Sequence, residues 1–300
     1  MKIGFGLPVS GSWAQPPNVL RVAGRAEELG YSSLWSFQRL LAPVRADLAP
    51  VYRSVLDPTV ALAYAAAVTE RIELGIAIIN APFESPALLA KQLATLDVLS
   101  GGRVAAGLGL GWLEEEFTAS GMPFARRGRR MEEYRRCLAA LWGPDPVRFD
   151  GEFYQVPESE VLPKPVQQPH PPILMGGDAP TALQRVGRIA DGWISSSRVP
   201  PAELGRRVEA VKAAAEAAGR DPESLRFVCR GVLLDGPRTR PLTGTLEQIH
   251  ADLPEIAGQG ITELFIDLNF IPAIGSPDVD PQQAMHRAEM MLEEFAPGAK

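Results

Sequence analysis

The sequence predicts an α/β chain folded as a (β/α)8 TIM barrel, and three observations carry that expectation. Short apolar runs alternate with longer helical patterns through all 300 residues, the rhythm of a parallel sheet wrapped by helices. The helix-to-strand turns are short and glycine-punctuated, at Gly30, Gly101-Gly102, Gly192 and Gly258-Gln259-Gly260. Several strand-to-helix loops are long, at 10–17, 39–57, 235–244 and 269–280, and in a barrel these share the C-terminal rim where sites are built. A doubly wound open sheet is the alternative arrangement of the same units. The chain reads as one domain, 1–300, with an insertion at 143–172 between the fourth and fifth strands.

The first strand is expected over 3–7. Its helix carries Val19, Val22, Ala23, Ala26 and Leu29 on one face. The second strand covers 33–37 and the next helix 58–68. The third strand, 72–79, is nearly all apolar, as a strand covered on both faces should be. Leu89, Leu93, Leu96 and Leu99 mark its helix. The fourth strand is 103–108, and Met131, Tyr134, Leu138 and Leu141 repeat at helical spacing beyond it. The rhythm then breaks. Residues 147–156 read as a hairpin around Asp150-Gly151, a favoured tight-turn pair. The prolines from Pro157 to Pro172 exclude a helix across the rest of the insertion. Strands at 173–175, 193–196, 225–234 and 263–268 then alternate with helices at 180–189, 201–218, 245–257 and 281–295.

Composition narrows the function. The net charge of −6 gives no electrostatic basis for wrapping nucleic acid. The longest apolar stretch, near 74–83, is shorter than the roughly 20 residues a membrane helix needs. The N-terminus reads as a strand and not as a signal peptide, so a cytoplasmic protein is expected. Cys137 and Cys229 fall in a helix and a strand pattern and read as reduced packing residues. His170, His250 and His286 lack zinc-ligand spacing, which argues against a metal site and a metal-dependent hydrolase.

Four clusters could carry chemistry. Gly107-Leu108-Gly109-Leu110-Gly111-Trp112 follows the fourth strand. A dinucleotide fingerprint needs glycine where Trp112 stands, so the run offers close backbone approach to a flat ligand or tight rim packing. Met175-Gly176-Gly177-Asp178-Ala179-Pro180 joins a strand end to a helix start, where exposed peptide N–H groups cradle an anion. Asp178 reads either as part of that site or as the helix cap. Gln38 and Arg39 end the second strand, and Arg39 offers a forked donor to an anionic group or a rim salt bridge. Asn80 is the polar side chain at the mouth end of the third strand, with Trp13 and Trp112 as candidate substrate-lining aromatics.

These segments resemble the bacterial luciferase-like monooxygenases, in the branch of F420-dependent oxidoreductases. The likeness runs through Leu29-Gly30-Tyr31-Ser32-Ser33-Leu34-Trp35, Thr69-Glu70-Arg71-Ile72-Glu73-Leu74-Gly75 and Leu99-Ser100-Gly101-Gly102-Arg103. It continues through the strand-four glycines with Glu115-Glu116-Phe117, Pro169-His170-Pro171-Pro172-Ile173, Gly176-Gly177 and Ala190-Asp191-Gly192-Trp193. The resemblance implies a barrel that binds a flavin or 5-deazaflavin at its C-terminal rim. It implies a non-prolyl cis peptide at Ala77–Ile78 supporting the ring, a phosphate on Gly176-Gly177, and the Gly107, Gly109 and Gly111 run beside the cofactor. Many relatives carry an acidic residue and a histidine where Gln38-Arg39 stands here. Arginine stays protonated, so it orients an anionic group and does not act as acid or base.

The expected function is hydride transfer between coenzyme F420 and a small-molecule substrate. FMN-dependent oxygenation with O2 is the alternative, and a barrel that binds its ligand without turnover is a further one. A homodimer is expected, with a separate dehydrogenase or reductase supplying reduced cofactor.

Overall fold

The computed structural model describes residues 1–298. Its elements in chain order are β1 (Lys2–Gly6), α1 (Pro16–Glu28), β2 (Ser33–Ser36), α2 (Pro58–Ala66), β3 (Glu73–Asn80), α3 (Pro86–Ser100), β4 (Val104–Gly109), α4 (Glu114–Ala119) and α5 (Arg127–Trp142). The hairpin strands β5 (Val147–Asp150) and β6 (Gln155–Ser159) come next, then β7 (Ile173–Gly176), α6 (Pro180–Ile189), β8 (Gly192–Ile194), α7 (Leu204–Ala217) and β9 (Arg226–Gly231). The chain closes with β10 (Leu234–Asp235), β11 (Thr243–Gly244), α8 (Leu246–Gly258), β12 (Glu263–Ile266), α9 (Pro272–Gly275) and α10 (Pro281–Glu294).

Eight parallel strands close in the order β1-β12-β9-β8-β7-β4-β3-β2, so the open doubly wound alternative is ruled out. Local chemistry sets the helix starts. Asp57 and Ser85 accept from Val60 N and Leu88 N at the heads of α2 and α3, and Thr245 forms a capping box with Gln248 on α8. Gly101 ends α3 at φ 70°, the left-handed cap expected of glycine.

Two apolar layers follow from strand alternation. Residues facing out pack under the helices. Those facing in form a small barrel core of Trp35, Ala77, Ala105, Leu174, Ile194, Val228 and Phe265. Trp35 stacks on Phe265 with ring centroids 5.2 Å apart. A Cβ on Gly75 would meet the Trp35 ring at 2.3 Å, so glycine there makes room for the indole. At the N-terminal end, Glu263 accepts from Trp35 Nε1 and pairs with Arg226, which also holds Glu73. That network seals the end opposite the long loops.

The insertion departs in detail from the expected tight turn. Residues 151–154 make a four-residue connection, because the buried Glu133 carboxylate accepts from the N–H groups of Glu152, Phe153 and Tyr154. The expected strand over 225–234 ends at Gly231, and the chain beyond pairs instead as β10 with β11. Both cysteines are free and buried, and burial pushes the thiols up to about 11 for Cys137 and about 12 for Cys229. No helix among the described residues is long and apolar enough to cross a membrane.

Candidate active site

The C-terminal rim is organised around an irregularity in β3. Its register against β4 slips between Ile76 and Ile79, and the Ala77–Ile78 peptide is cis. The polar atoms exposed by the bulge are tied down from both sides. Gln38 N donates to Ile78 O at 3.2 Å, and Gln38 Oε1 accepts from Asn80 N at 2.8 Å. From the far wall Arg230 Nη2 donates to Ala77 O, while Arg230 Nη1 lies 3.2 Å from Asp267 Oδ2. Burial raises the Asp267 carboxyl above the usual carboxylate range, against the opposing pull of Arg230 and Asn269.

Ala77, Ile78 and Asn80 line a cavity together with Gln38, Arg39 and Arg230. Gly176, Gly177 and Ser195 to Ser197 form its opposite wall, and Phe37, Tyr52, Trp112, Ile194 and Phe270 complete it. Arg39 is buried, with its Nη1 2.7 Å from Glu116 Oε2, and Glu116 Oε1 accepts from Leu40 N at 2.8 Å. Its guanidinium also lies 4.6 Å from the Tyr52 ring and 4.8 Å from the Trp112 ring. The salt-bridge alternative for Arg39 is thus realised, with the pair buried and not solvated at the rim.

The structure corrects several expectations. Trp13 does not reach the cavity. It is fully buried, because its loop is drawn into the core where Ser10 Oγ donates to Val51 O and Gly275 O. Gly107, Gly109 and Gly111 do not line the cavity either. A Cβ on Gly109 would stand 1.6 Å from Ile78 Cδ1, and one on Gly107 would meet Ile76 O and Ile194. Gly109 thus makes room for Ile78, and Gly107 for the Ile76 carbonyl and the Ile194 side chain. Gly111, at φ 74°, packs against Phe83 and Phe117. The Asp178 side chain does not cap the helix. Its carboxylate pairs with Arg207 on α7, and Ala179 holds the N-cap position of α6.

Gly176 and Gly177 line the cavity where β7 gives way to α6. Gly177 has φ 136°, and a Cβ there would press on Ala182 at 2.6 Å. The N–H groups of Gly177, Asp178 and Ala179 donate to no acceptor among the described residues, and neither do those of Ser196 and Ser197. Because Arg207 engages Asp178, the acidic side chain does not oppose an anion at these donors. Gln38 Nε2, Arg39 Nε and Arg230 Nε likewise have no acceptor, and all three belong to buried side chains on the cavity wall. The wall therefore offers hydrogen-bond donors in excess, beside a flat apolar floor.

Sequence reasoning missed Arg230, Tyr52, Phe270 and the serine run. Arg230 had a signal: it is the charged residue inside the otherwise apolar stretch Phe227-Val228-Cys229-Arg230-Gly231-Val232. Tyr52 and Phe270 come from long loops, where no periodicity marks a residue as facing inward. Among the described residues no cluster of three His, Cys, Asp or Glu side chains is placed to hold a metal ion.

The sequence model of the family described as luciferase-like monooxygenase matches residues 4–236. The chain belongs to the luciferase-like monooxygenase family. An uncharacterized protein of Mycobacterium tuberculosis is 32% identical over 286 residues, 92% of each chain. The F420-dependent glucose-6-phosphate dehydrogenase of Amycolatopsis mediterranei is 30% identical over 75% of this chain and 66% of its own. The FMNH2-dependent dimethylsulfone monooxygenase of Pseudomonas putida is 39% identical over 49% of this chain and 39% of its own. Among solved structures, the monooxygenase RslO1 of Streptomyces bottropensis superposes with a TM-score of 0.82 at 22% identity, covering both chains completely. This luciferase-like chain is an oxidoreductase by family, and its family includes users of both F420 and FMN.

The residues present fit a flat ring with an anionic tail, the common plan of FMN and F420. The bulge and Ile78 give a planar apolar support, and the free N–H groups at Gly177 to Ala179 suit a phosphate.

Proposed function

We propose that this chain binds coenzyme F420 and catalyses hydride transfer between the deazaflavin and a small organic substrate. The observation that carries the reading is the cavity itself. A braced β3 bulge, with its exposed polar atoms bonded, faces a phosphate-sized set of unbonded peptide N–H groups. The lining includes no histidine and no carboxylate. When bound, the deazaflavin supplies the hydride chemistry, and the chain supplies orientation and a dry wall. Gly177, Asp178 and Ala179 hold the tail phosphate through their backbones. Ala77 and Ile78 support the ring, and Gln38 and Asn80 fix that support. Arg39 acts through Tyr52 and Trp112, which it holds at the mouth where substrate enters.

Support for F420 over FMN comes from the relatives. The F420-dependent dehydrogenase aligns across 75% of this chain, against 49% for the FMNH2-dependent monooxygenase. The second reading, FMN-dependent oxygenation with O2, draws on the higher identity of the latter, 39% against 30%. Fluorescence quenching on titrating F420 and FMN into purified protein tests both. Quenching of F420 at micromolar protein is expected. Oxygen uptake with reduced FMN, without F420 quenching, transfers the assignment to the monooxygenase.

The reading includes a separate enzyme that regenerates reduced cofactor, a dehydrogenase for F420 or a flavin reductase for FMN. It also includes a homodimer, for which α2 and α3 supply a surface. Val60, Tyr64 and Val68, on and just after α2, are exposed, as are Leu88 and Leu99 on the neighbouring α3. Exposed apolar side chains gathered on two adjacent helices suit an interaction site.

A further inference from the structure

Arg230 occupies a position that bracing the bulge does not fully explain. It stands one residue from the end of β9, and its side chain is 8% exposed. Its guanidinium is fixed on several sides. Nη2 holds Ala77 O, Nη1 faces Asp267 Oδ2 at 3.2 Å, and the Phe270, Phe265 and Phe37 rings lie 4.6, 5.4 and 5.5 Å away. Nε has no acceptor. Arg230 is on the cavity wall and its counter-charge Asp267 is not, so a ring resting on the bulge meets the cation first. Arg39, the other buried cation of the wall, is more tightly neutralised, at 2.7 Å from Glu116. In a buried site a fixed charge acts far more strongly than in water, and being held in advance it needs no reorganisation.

We propose that Arg230 is the charged group that sets the preference of this site for the reduced over the oxidised cofactor ring. The assignment rests on the proposed function, because it presumes a redox ring on the Ala77–Ile78 bulge. A ring that accepts a hydride gains two electrons and one negative charge until a proton follows. A fixed cation at the ring therefore favours the reduced form, and a neutral side chain there does not.

The test is the affinity of each redox form for wild type and variants, read by fluorescence and absorbance titration with F420 and, in parallel, FMN. Arg230→Gln is expected to lower the reduced-to-oxidised affinity ratio about tenfold, which moves the bound potential about 30 mV negative for a two-electron couple. Arg230→Lys, which keeps the charge, is expected to restore most of the ratio. Should R230Q fail to fold because Asp267 is left buried and alone, the double variant R230Q/D267N removes both charges and is expected to shift the ratio the same way. An unchanged ratio in a folded variant, or equal weakening of both forms, makes Arg230 a structural brace and overturns the assignment alone. A lysine variant that behaves like the glutamine variant overturns it too. A wild-type chain that takes up neither ring overturns the proposed function, and this inference with it.

Discussion

Glu116, at the first turn of α4, reaches under the second-strand loop to hold Arg39 at 2.7 Å, with the two side chains 1% and 4% exposed. The same carboxylate accepts from Leu40 N, so one side chain fixes both the charge and the backbone of that loop. Arg39 in turn spaces Tyr52 from Trp112, whose ring centroids lie 6.1 Å apart.

The pair is a poor source of stability when whole and a large liability when broken. Removing one partner leaves a buried charge uncompensated, at a cost of about 3–5 kcal/mol. Glu116→Gln is expected to lose stability by that order in urea unfolding. The double variant R39M/E116Q is expected to recover much of it, since neither charge then remains. A loss under 1 kcal/mol in E116Q would mean that the loop, and not the pair, carries the geometry.

Gly109 offers a sharper test of the bulge. A Cβ there would overlap Ile78 Cδ1, so Gly109→Ala must push Ile78 towards the cavity or distort β4. Overpacking of this kind costs about 1–3 kcal/mol. G109A is expected to weaken cofactor binding at least tenfold. Shortening the opposing side chain in G109A/I78A is expected to restore part of the lost stability, because contacting residues couple. Additive losses in the double variant, measured by thermal unfolding, would contradict the overlap.

Much of this is legible in the chain alone. The eight-fold alternation, the elaborated rim and the position of the cis peptide all follow from patterns in the chain or from its family likeness. What escaped was direction. Spacing marks Gly107 and Gly109 as places of close approach but does not say that the approaching atoms belong to Ile76 and Ile194 at the first and to Ile78 at the second. An aromatic residue in a loop, such as Trp13, looks available to a ligand until the loop is seen laid into the core. Arg230 hid for a different reason: a lone charge inside the expected strand 225–234 does not say which way it points, and its partner Asp267 is 37 residues away in the chain.

Glu84, which follows the bulged strand, gives the pH dependence. Burial, with Asp57 adding, raises its carboxyl above the ordinary 4.5. The folded state therefore binds this proton more tightly than the unfolded state does. Below 4.5 the two states are alike at this group. As pH rises through and beyond 4.5 the unfolded chain ionises first, and stability is lost until the folded carboxyl also ionises. Glu84→Gln removes the titration. It is expected to gain stability relative to wild type as pH moves from 4 to 7, with no gain at the acid end. Denaturant midpoints across that range check the sign, and a gap that shrinks towards neutrality would reverse it.

The α2 surface permits a direct test of assembly. Val60 is 69% exposed and Leu99 on α3 is 70% exposed, while the α2 sequence Pro58-Thr59-Val60-Ala61-Leu62-Ala63-Tyr64 carries no charge. A stable dimer needs about 800 Å² from each partner, which two adjacent helices can provide. Val60→Glu with Tyr64→Glu is expected to halve the mass seen by sedimentation at micromolar concentration, because paired copies would bury like charges against one another. The barrel of each copy is expected to keep its thermal midpoint within a few degrees, since both side chains point out of the core. A wild-type chain that already sediments at 300 residues' mass removes the dimer, and an unchanged dimer in the double variant moves the interface to another face.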